Sequence, residues 1–248
     1  MDKTVFITGA TSGIGRATAL LLAGKGCRII ACGRREERLA ELHEQLGDQV
    51  CTLAFDVRDR EEVREAIASL RPPFDRVDVL INNAGNAHGL DPLQGGDPDD
   101  WDAMIDINVK GLLYVTKTLL PTLMASGRGH IINIGSTAAK EVYPGGNVYC
   151  ASKHAVDALN AGLRIDLNGT GIRVGAIHPG LVETEFSLVR FKGDAPRASR
   201  VYQGYEPLKP EDIAEIVWFA LSQPPHVNIA DLVVMPTAQA SSTIVHKT

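Results

Sequence analysis

Tyr149 and Lys153 stand four residues apart in "YCASK", and Ser136 closes "NIGS" thirteen residues before the tyrosine. On a helix rising ~1.5 Å per residue, positions four apart share one face. Tyr149 and Lys153 can therefore meet a single ligand. A phenol with an ordinary pKa near ~10 is a poor base at neutral pH. A cation ~5 Å away at an effective dielectric of ~20 stabilises the phenolate by roughly 3 kcal/mol. That is worth about two pKa units. Tyr149 could then take a hydroxyl proton during oxidation or give one to a carbonyl during reduction. Ser136 could hydrogen-bond the reacting oxygen. Such a pair also occurs on ordinary helix surfaces, so the rest of the chain has to supply the context.

A second group of residues sits near the start. The run "TVFIT" leads into "GATSGIG", which places Gly9, Gly13 and Gly15 at a strand-to-helix turn. Glycine lets backbone bend sharply there and approach a ligand closely, and amides at the next helix N-terminus would face a phosphate. No Gly-Lys-Ser/Thr ends the loop, so a P-loop is excluded, and the spacing is G-x-x-x-G-x-G rather than GxGxxG. Beyond Gly15, the second strand ends in "ACGRREE". A site for NAD would want an acid here for the ribose 2′-hydroxyl. Arg34 and Arg35 instead suit a 2′-phosphate through charge-assisted hydrogen bonds, which favours NADP over NAD. The other reading is that both arginines decorate a helix start, where cations are unfavourable.

The elements that would position these residues alternate regularly. Strands are expected at 3–8, 27–32, 50–55, 77–82, 130–134, 172–177 and 231–235. Helices are expected near 13–25, 35–47, 59–70, 99–125, 148–168 and 210–222. Asp59 with Glu62 reads as a capping box, and the last helix starts at Pro210 with an acidic first turn. Continuous apolar strands alternating with helices predict an α/β fold: one Rossmann-type doubly wound parallel sheet with helices on both faces. No linker or repeat divides 1–248, so a single domain is expected. Its least regular part, 183–209, would lie at the carboxyl edge of the sheet, where ligands bind.

Composition narrows the function further. Of 248 residues, 44% are hydrophobic and 22% charged, and the net charge is −5 with no basic stripe. That excludes disorder and argues against nucleic acid as a partner. No apolar run is long enough to span a membrane, and no secretory leader is visible. Cys27, Cys32, Cys51 and Cys150 form no CxxC pair. Buried, reduced thiols and a cytoplasmic location are expected. The seven histidines show no HExxH spacing, so no catalytic metal is expected. His178 reads as a packing residue or polar scaffolding. His88 reads as a loop histidine or a border of the substrate pocket, and Cys150 as a small packing residue.

Taken together, "TGATSGIG", "NNAG", "INVKG", "NIGS", "YCASK" and "HPGLVET" resemble, in order, the short-chain dehydrogenase/reductase family. "GHIINIGSTA", "GGNVY", "TEFSLVRFKGD" and "PPHVNI" resemble its NADP-dependent 3-hydroxy acid dehydrogenase branch, which acts on serine, L-allo-threonine and related acids. The resemblance implies a sheet of about seven parallel strands and a homotetramer. It also implies Asn108, Ser136, Tyr149 and Lys153 as the catalytic set, with Lys153 holding the nicotinamide ribose and Asn108 on a water-linked proton path. By the same resemblance the cofactor would be lined by Gly9, Thr11, Ser12, Gly13, Ile14 and Gly15, then Arg34, Arg35, Asp56 and Val57. Asn83, Ala84 and Gly85 of the fourth strand would follow, with Pro179, Gly180, Val182 and Thr184 after the sixth. Asp56 would contact adenine (a turn or cap role is its alternative), and Thr184 the carboxamide. "PGLVETEF" is one residue shorter than the branch pattern, so the geometry of the substrate loop is open.

A 3-hydroxy acid needs a partner for its carboxylate. Arg190 in "SLVRFKGD" can pair with one bidentately, and Lys192 is the second candidate; a surface salt bridge is the rival role for the arginine. The leading expectation is an NADP-dependent oxidoreductase acting on a small 3-hydroxy acid or its carbonyl partner. The alternatives are a broad ketone or aldehyde reductase and a non-catalytic NADP-binding sensor. A sensor would have no need of Ser136, Tyr149 and Lys153 together.

Overall fold

The computed structural model describes residues 3–248. Seven strands form one sheet in the order β3-β2-β1-β4-β5-β6-β7, and every pairing is parallel. They are β1 (Thr4–Thr8), β2 (Arg28–Gly33), β3 (Val50–Ala54), β4 (Val79–Asn82), β5 (His130–Ile134), β6 (Arg173–Pro179) and β7 (Asp231–Val234).

Alternation along each strand feeds two cores. Val5 and Ile7 of β1 pack with Ile29 and Ala31 of β2 on one face. That face is covered by α1 (Gly13–Gly24), α2 (Glu36–Leu46) and α9 (Pro210–Ser222). Phe6, Ile30 and Leu80 point to the other face, under α3 (Arg60–Ala68), α5 (Leu112–Ala125) and α6 (Asn147–Asp166). Burial on both sides explains why the strands read as unbroken apolar runs. Fully buried side chains such as Leu80 and Leu119 each contribute roughly 1.5–3 kcal/mol.

The chain order reverses direction across the sheet between β1 and β4, and the carboxyl edge at that switch point opens a crevice. The glycine turn after β1, the "NNAG" turn after β4, Ser136 after β5 and the segment after β6 all end there.

Three local expectations need correction. The helix anticipated over 99–125 is α4 (Pro98–Ile105) and α5 joined by a π-helical turn, Asp106–Gly111. The extra residue in that turn re-aims Asn108, and such bulges commonly mark functional sites. Asp59 does cap α3, accepting from the Glu61 and Glu62 amides, but Glu62 does not return to it. Glu62 instead accepts from the Asp56 amide at 2.8 Å, so it braces the β3–α3 turn. Finally, the supposedly irregular 183–209 contains α7 (Phe186–Arg190) and α8 (Ala195–Arg200). A bridge between Val182 and Leu208 cinches its base. Cys27, Cys32 and Cys150 are buried, whereas Cys51 is only half-buried.

Candidate active site

The crevice is a cleft of about 970 Å³. At one end the glycine turn forms its floor. Gly9 (φ 66°) and Gly13 (φ 49°) adopt the left-handed conformation that side chains disfavour. A Cβ at Gly15 would sit 2.3 Å from the Gly9 carbonyl and 2.4 Å from the Asn83 amide. Gly15 therefore serves close packing of turn against strand and lies behind the cleft rather than on it. Asn83 completes this junction, donating to the Thr8 and Gly9 carbonyls at 2.8 and 3.1 Å. Thr11, Ser12, Gly13 and Ile14 face the cleft, with Ala84 and Gly85 opposite.

At the end of β2, Arg34 is 58% exposed and 3.6 Å from Asp56. Arg35 reaches back over the glycine turn, donating to Thr11 Oγ1 at 3.0 Å and Ser12 Oγ at 2.7 Å. It also pairs with Glu185 at 2.8 Å, and Arg38 of α2 pairs with the same carboxylate at 2.7 Å. Glu185 thereby fastens the 183–209 segment to the arginine corner. Partial burial raises its carboxyl, but the two guanidinium groups outweigh that and hold it below the usual range. Asp56 behaves alike: burial raises it, and Arg58 with Arg34 brings it below the ordinary value. Arg58 grips Asp56 with two nitrogens, Nε at 3.0 Å and Nη2 at 2.7 Å. Val57 lines the cleft beside it.

These residues fit NADP. The glycine turn leaves no Cβ between backbone amides and a pyrophosphate, and Arg34 and Arg35 present cations where a 2′-phosphate would lie. Pro179, Gly180, Val182 and Thr184 form the opposite wall, with the Thr184 methyl packed over Gly13.

The chemical centre lies deeper. Tyr149 is 7% exposed and Lys153 6% exposed, adjacent turns on the face of α6 that looks into the cleft. Ser136 follows β5 and caps the short turn Thr137–Ala139, its Oγ accepting from the Ala138 amide at 3.1 Å. That bond occupies an acceptor site and leaves the hydroxyl hydrogen for another oxygen. Burial pushes the Tyr149 phenol well up, Tyr143 adds to the rise, and a hydrogen bond from Ser136 with the charge of Arg190 pulls it down. The net direction is upward, contrary to the phenolate expected from Lys153 alone.

Burial is the main cause, and Lys153 does not offset it. Its ammonium donates to the Ile134 carbonyl at 3.0 Å, and burial pulls its pKa down to about 8. The cation over the Tyr149 ring is Arg190, 5.6 Å from the ring centre. Asn108 lies behind the cleft on the π-helical turn. It accepts from the Asn86 amide and donates to the Asn86 carbonyl, both at 2.9 Å. It also donates to Ser152 on α6 at 2.9 Å, tying the β4 turn to the tyrosine helix.

Arg190 arrives from α7. Its Nε donates to the Gly89 carbonyl and its Nη1 to the Tyr143 hydroxyl, each at 3.1 Å. Its Nη2 is buried without a hydrogen-bond partner, in a side chain that lines the cleft. Lys192 is not brought there. It turns outward on a left-handed backbone (φ 51°) and pairs with Asp100 at 2.9 Å. His88 does border the cleft, in contact with Asn86 at 2.8 Å, and burial lowers its pKa. Of residues 137–148, between Ser136 and Tyr149, Thr137, Ala138, Tyr143 and Pro144 form wall, while Lys140 turns away.

Sequence reasoning missed Glu185 and Asn86. Glu185 follows Thr184 in the loop, and its partners lie 150 positions away in sequence for Arg35. It also missed a buried amide line across the sheet: Asn82 donates to Asn133 at 2.9 Å, and Asn133 to Asn160 at 3.1 Å. Asparagines inside strands were the available signal.

Fold and site together define an oxidoreductase with a dinucleotide crevice. The chain matches the short chain dehydrogenase family over residues 3–193, and it belongs to that family. It is 48% identical over 237 residues to the NADP-dependent 3-hydroxy acid dehydrogenase YdfG of Salmonella typhi, covering 95% of this chain and 96% of that protein. It is also 48% identical over 245 residues to sulfoacetaldehyde reductase 2 of Chromohalobacter salexigens, covering 98% and 97%. The solved closed form of serine dehydrogenase complexed with NADP+ superposes with a TM-score of 0.95 at 46% identity, covering 99% of this chain and all of that one. The chain is thus an NADP-dependent oxidoreductase acting on CH–OH groups. Among the described residues no helix is long and apolar enough to cross a membrane.

Proposed function

We propose that this enzyme transfers hydride between NADP(H) and a small 3-hydroxy acid or its carbonyl partner. One observation carries the substrate class: Arg190 lines the cleft over Tyr149 with a buried guanidinium nitrogen that has no partner. A buried donor left unsatisfied costs about 1–3 kcal/mol, more when charged, and an anionic substrate group would relieve that cost. The names of the relatives support an acid-bearing substrate, and the sulfoacetaldehyde reductase supports a sulfonate as the second candidate for the same nitrogen.

When bound, NADP supplies the hydride acceptor or donor and, oxidised, a positive ring that favours phenolate. The protein's residues do the rest. Tyr149 exchanges the proton with the substrate oxygen, and Ser136 donates a hydrogen bond to that oxygen. Lys153 holds the ribose hydroxyls, and its burial-lowered pKa lets it pass a proton toward Asn108 and solvent. Arg34 and Arg35 hold the 2′-phosphate, Asp56 the adenine edge and Thr184 the carboxamide. Residues 1–248 act as one domain with 183–209 as substrate loop. We infer a cytoplasmic homotetramer, to be tested by light scattering.

The test is a substrate screen following reduced-cofactor absorbance with NADP and NAD. Serine and 3-hydroxypropionate should turn over with NADP. Preference for a bulky neutral aryl ketone would replace this reading with a general carbonyl reductase. NADP binding with no turnover of any substrate would leave a sensor.

A further inference from the structure

Behind Ser136 lies a fully buried histidine that the proposed chemistry does not use. His178 sits near the end of β6 with 0% exposure. Its Nδ1 lies at the Ser136 peptide, 3.4 Å from the amide nitrogen and 3.2 Å from the carbonyl oxygen. Its Nε2 lies 3.0 Å from Asp231 at the start of β7 and 3.5 Å from Asp157, near both carboxylates but without hydrogen-bond alignment to either. Lys140 bridges the two carboxylates, at 2.9 Å from Asp157 and 2.5 Å from Asp231. With its ammonium between them, the cluster is closed by the protein's own cation rather than set up for a metal ion.

The placement of these residues links both halves of the chemical centre. Asp157 is one turn beyond Lys153, so Tyr149, Lys153 and Asp157 follow one face of α6. The backbone before Ser136 is cut to fit the ring: a Cβ at Gly135 would lie 2.3 Å from His178 Nδ1.

We propose that His178 is a positioning residue for Ser136, its imidazole seated against Gly135 with Nε2 toward the Asp231 and Asp157 charges, so that Nδ1 holds the Ser136 peptide and aims the hydroxyl at the substrate oxygen. The charges of the two carboxylates favour the proton on Nε2, and in that tautomer Nδ1 accepts from the Ser136 N–H. Burial lowers the histidine pKa despite the two carboxylates, with Lys140 opposing them, and the neutral ring is the form that can accept. The inference rests on Ser136 acting on the substrate oxygen, as proposed above.

The test is a double-mutant cycle on the full-length enzyme with NADPH. His178→Leu removes the hydrogen bond to the Ser136 peptide and Ser136→Ala removes the hydroxyl. We expect His178→Leu to lower kcat about tenfold, with KM for NADPH unchanged. Introduced into Ser136→Ala, the same change should lower kcat no further, because a residue acting through Ser136 has nothing left to aim. His178→Asn, which keeps an acceptor near the Nδ1 position, should recover most of kcat; it also serves if the leucine variant fails to fold. Equal losses in both backgrounds, or an asparagine variant as slow as the leucine one, would overturn the proposal. If Ser136→Ala itself keeps full kcat, the role given to Ser136 falls, and His178 with it. If only Ser136→Ala is slow, the histidine inference alone is wrong.

Discussion

Arg190→Ala should separate charged from neutral substrates. Two of the three guanidinium nitrogens are taken, by Gly89 and Tyr143. Nη2 has no partner among the described residues. One charge-assisted hydrogen bond from Nη2 to the substrate anion is worth roughly 1.5–3 kcal/mol. At about 1.4 kcal/mol per tenfold, kcat/KM for 3-hydroxypropionate should fall roughly 10- to 150-fold. Removing the side chain also loosens α7 from Gly89 and Tyr143, and takes a cation from above Tyr149. Those losses affect every substrate, so 3-hydroxypropionamide, neutral and of nearly the same shape, is the control. The assay is initial rate of NADPH formation for both compounds, wild type against variant. The charged substrate should lose at least tenfold more than the amide. Equal losses would show that Arg190 is a strut of the loop and not an anion receptor.

Arg35→Ser should weaken NADPH binding roughly 10- to 100-fold while leaving NADH affinity nearly unchanged, measured by fluorescence titration, because only a 2′-phosphate exploits the guanidinium. Glu185→Gln breaks the bridge to Arg35 and Arg38, but all three side chains are over one-third exposed. Thermal unfolding should therefore move little, while cleavage by trypsin after Arg190 or Lys192 accelerates. Lys153 has a folded pKa of about 8, below its ordinary 10.5, so folding penalises its charged form. The unfolded chain binds more protons between those values, so stability should rise with pH from about 8 to 10.5. Lys153→Met should lack that rise and be the more stable protein at pH 7, by on the order of 3 kcal/mol in urea titration.

Period and punctuation made the fold legible. The central strands, buried on both faces, left unbroken apolar runs, and each strand of the sheet was found within a residue or two. The glycine turn, Ser136 and Tyr149–Lys153 were legible because their chemistry demands fixed residue types at element ends. What escaped depends on contacts distant in sequence. Nothing in "TEF" marks Glu185 as the partner of two arginines from α2 and its approach. Lys153 was legible as a cation near Tyr149, but its donation to the Ile134 carbonyl depends on how β5 meets α6. The π-helical turn at Asn108 was hidden because apolar spacing continues through it. Lys192 and Arg190 look equivalent in "VRFKGD"; the end of α7 sends one inward and the other to Asp97 and Asp100.

The central claim is that Tyr149 moves the proton while the cleft holds NADP. Its most direct test is single-turnover absorbance of NADPH with wild type and Tyr149→Phe, alongside cofactor titration. The phenylalanine variant should bind NADPH within about threefold of wild type and show hydride transfer slowed by roughly 10²–10⁴. Transfer at the wild-type rate in that variant would contradict the account.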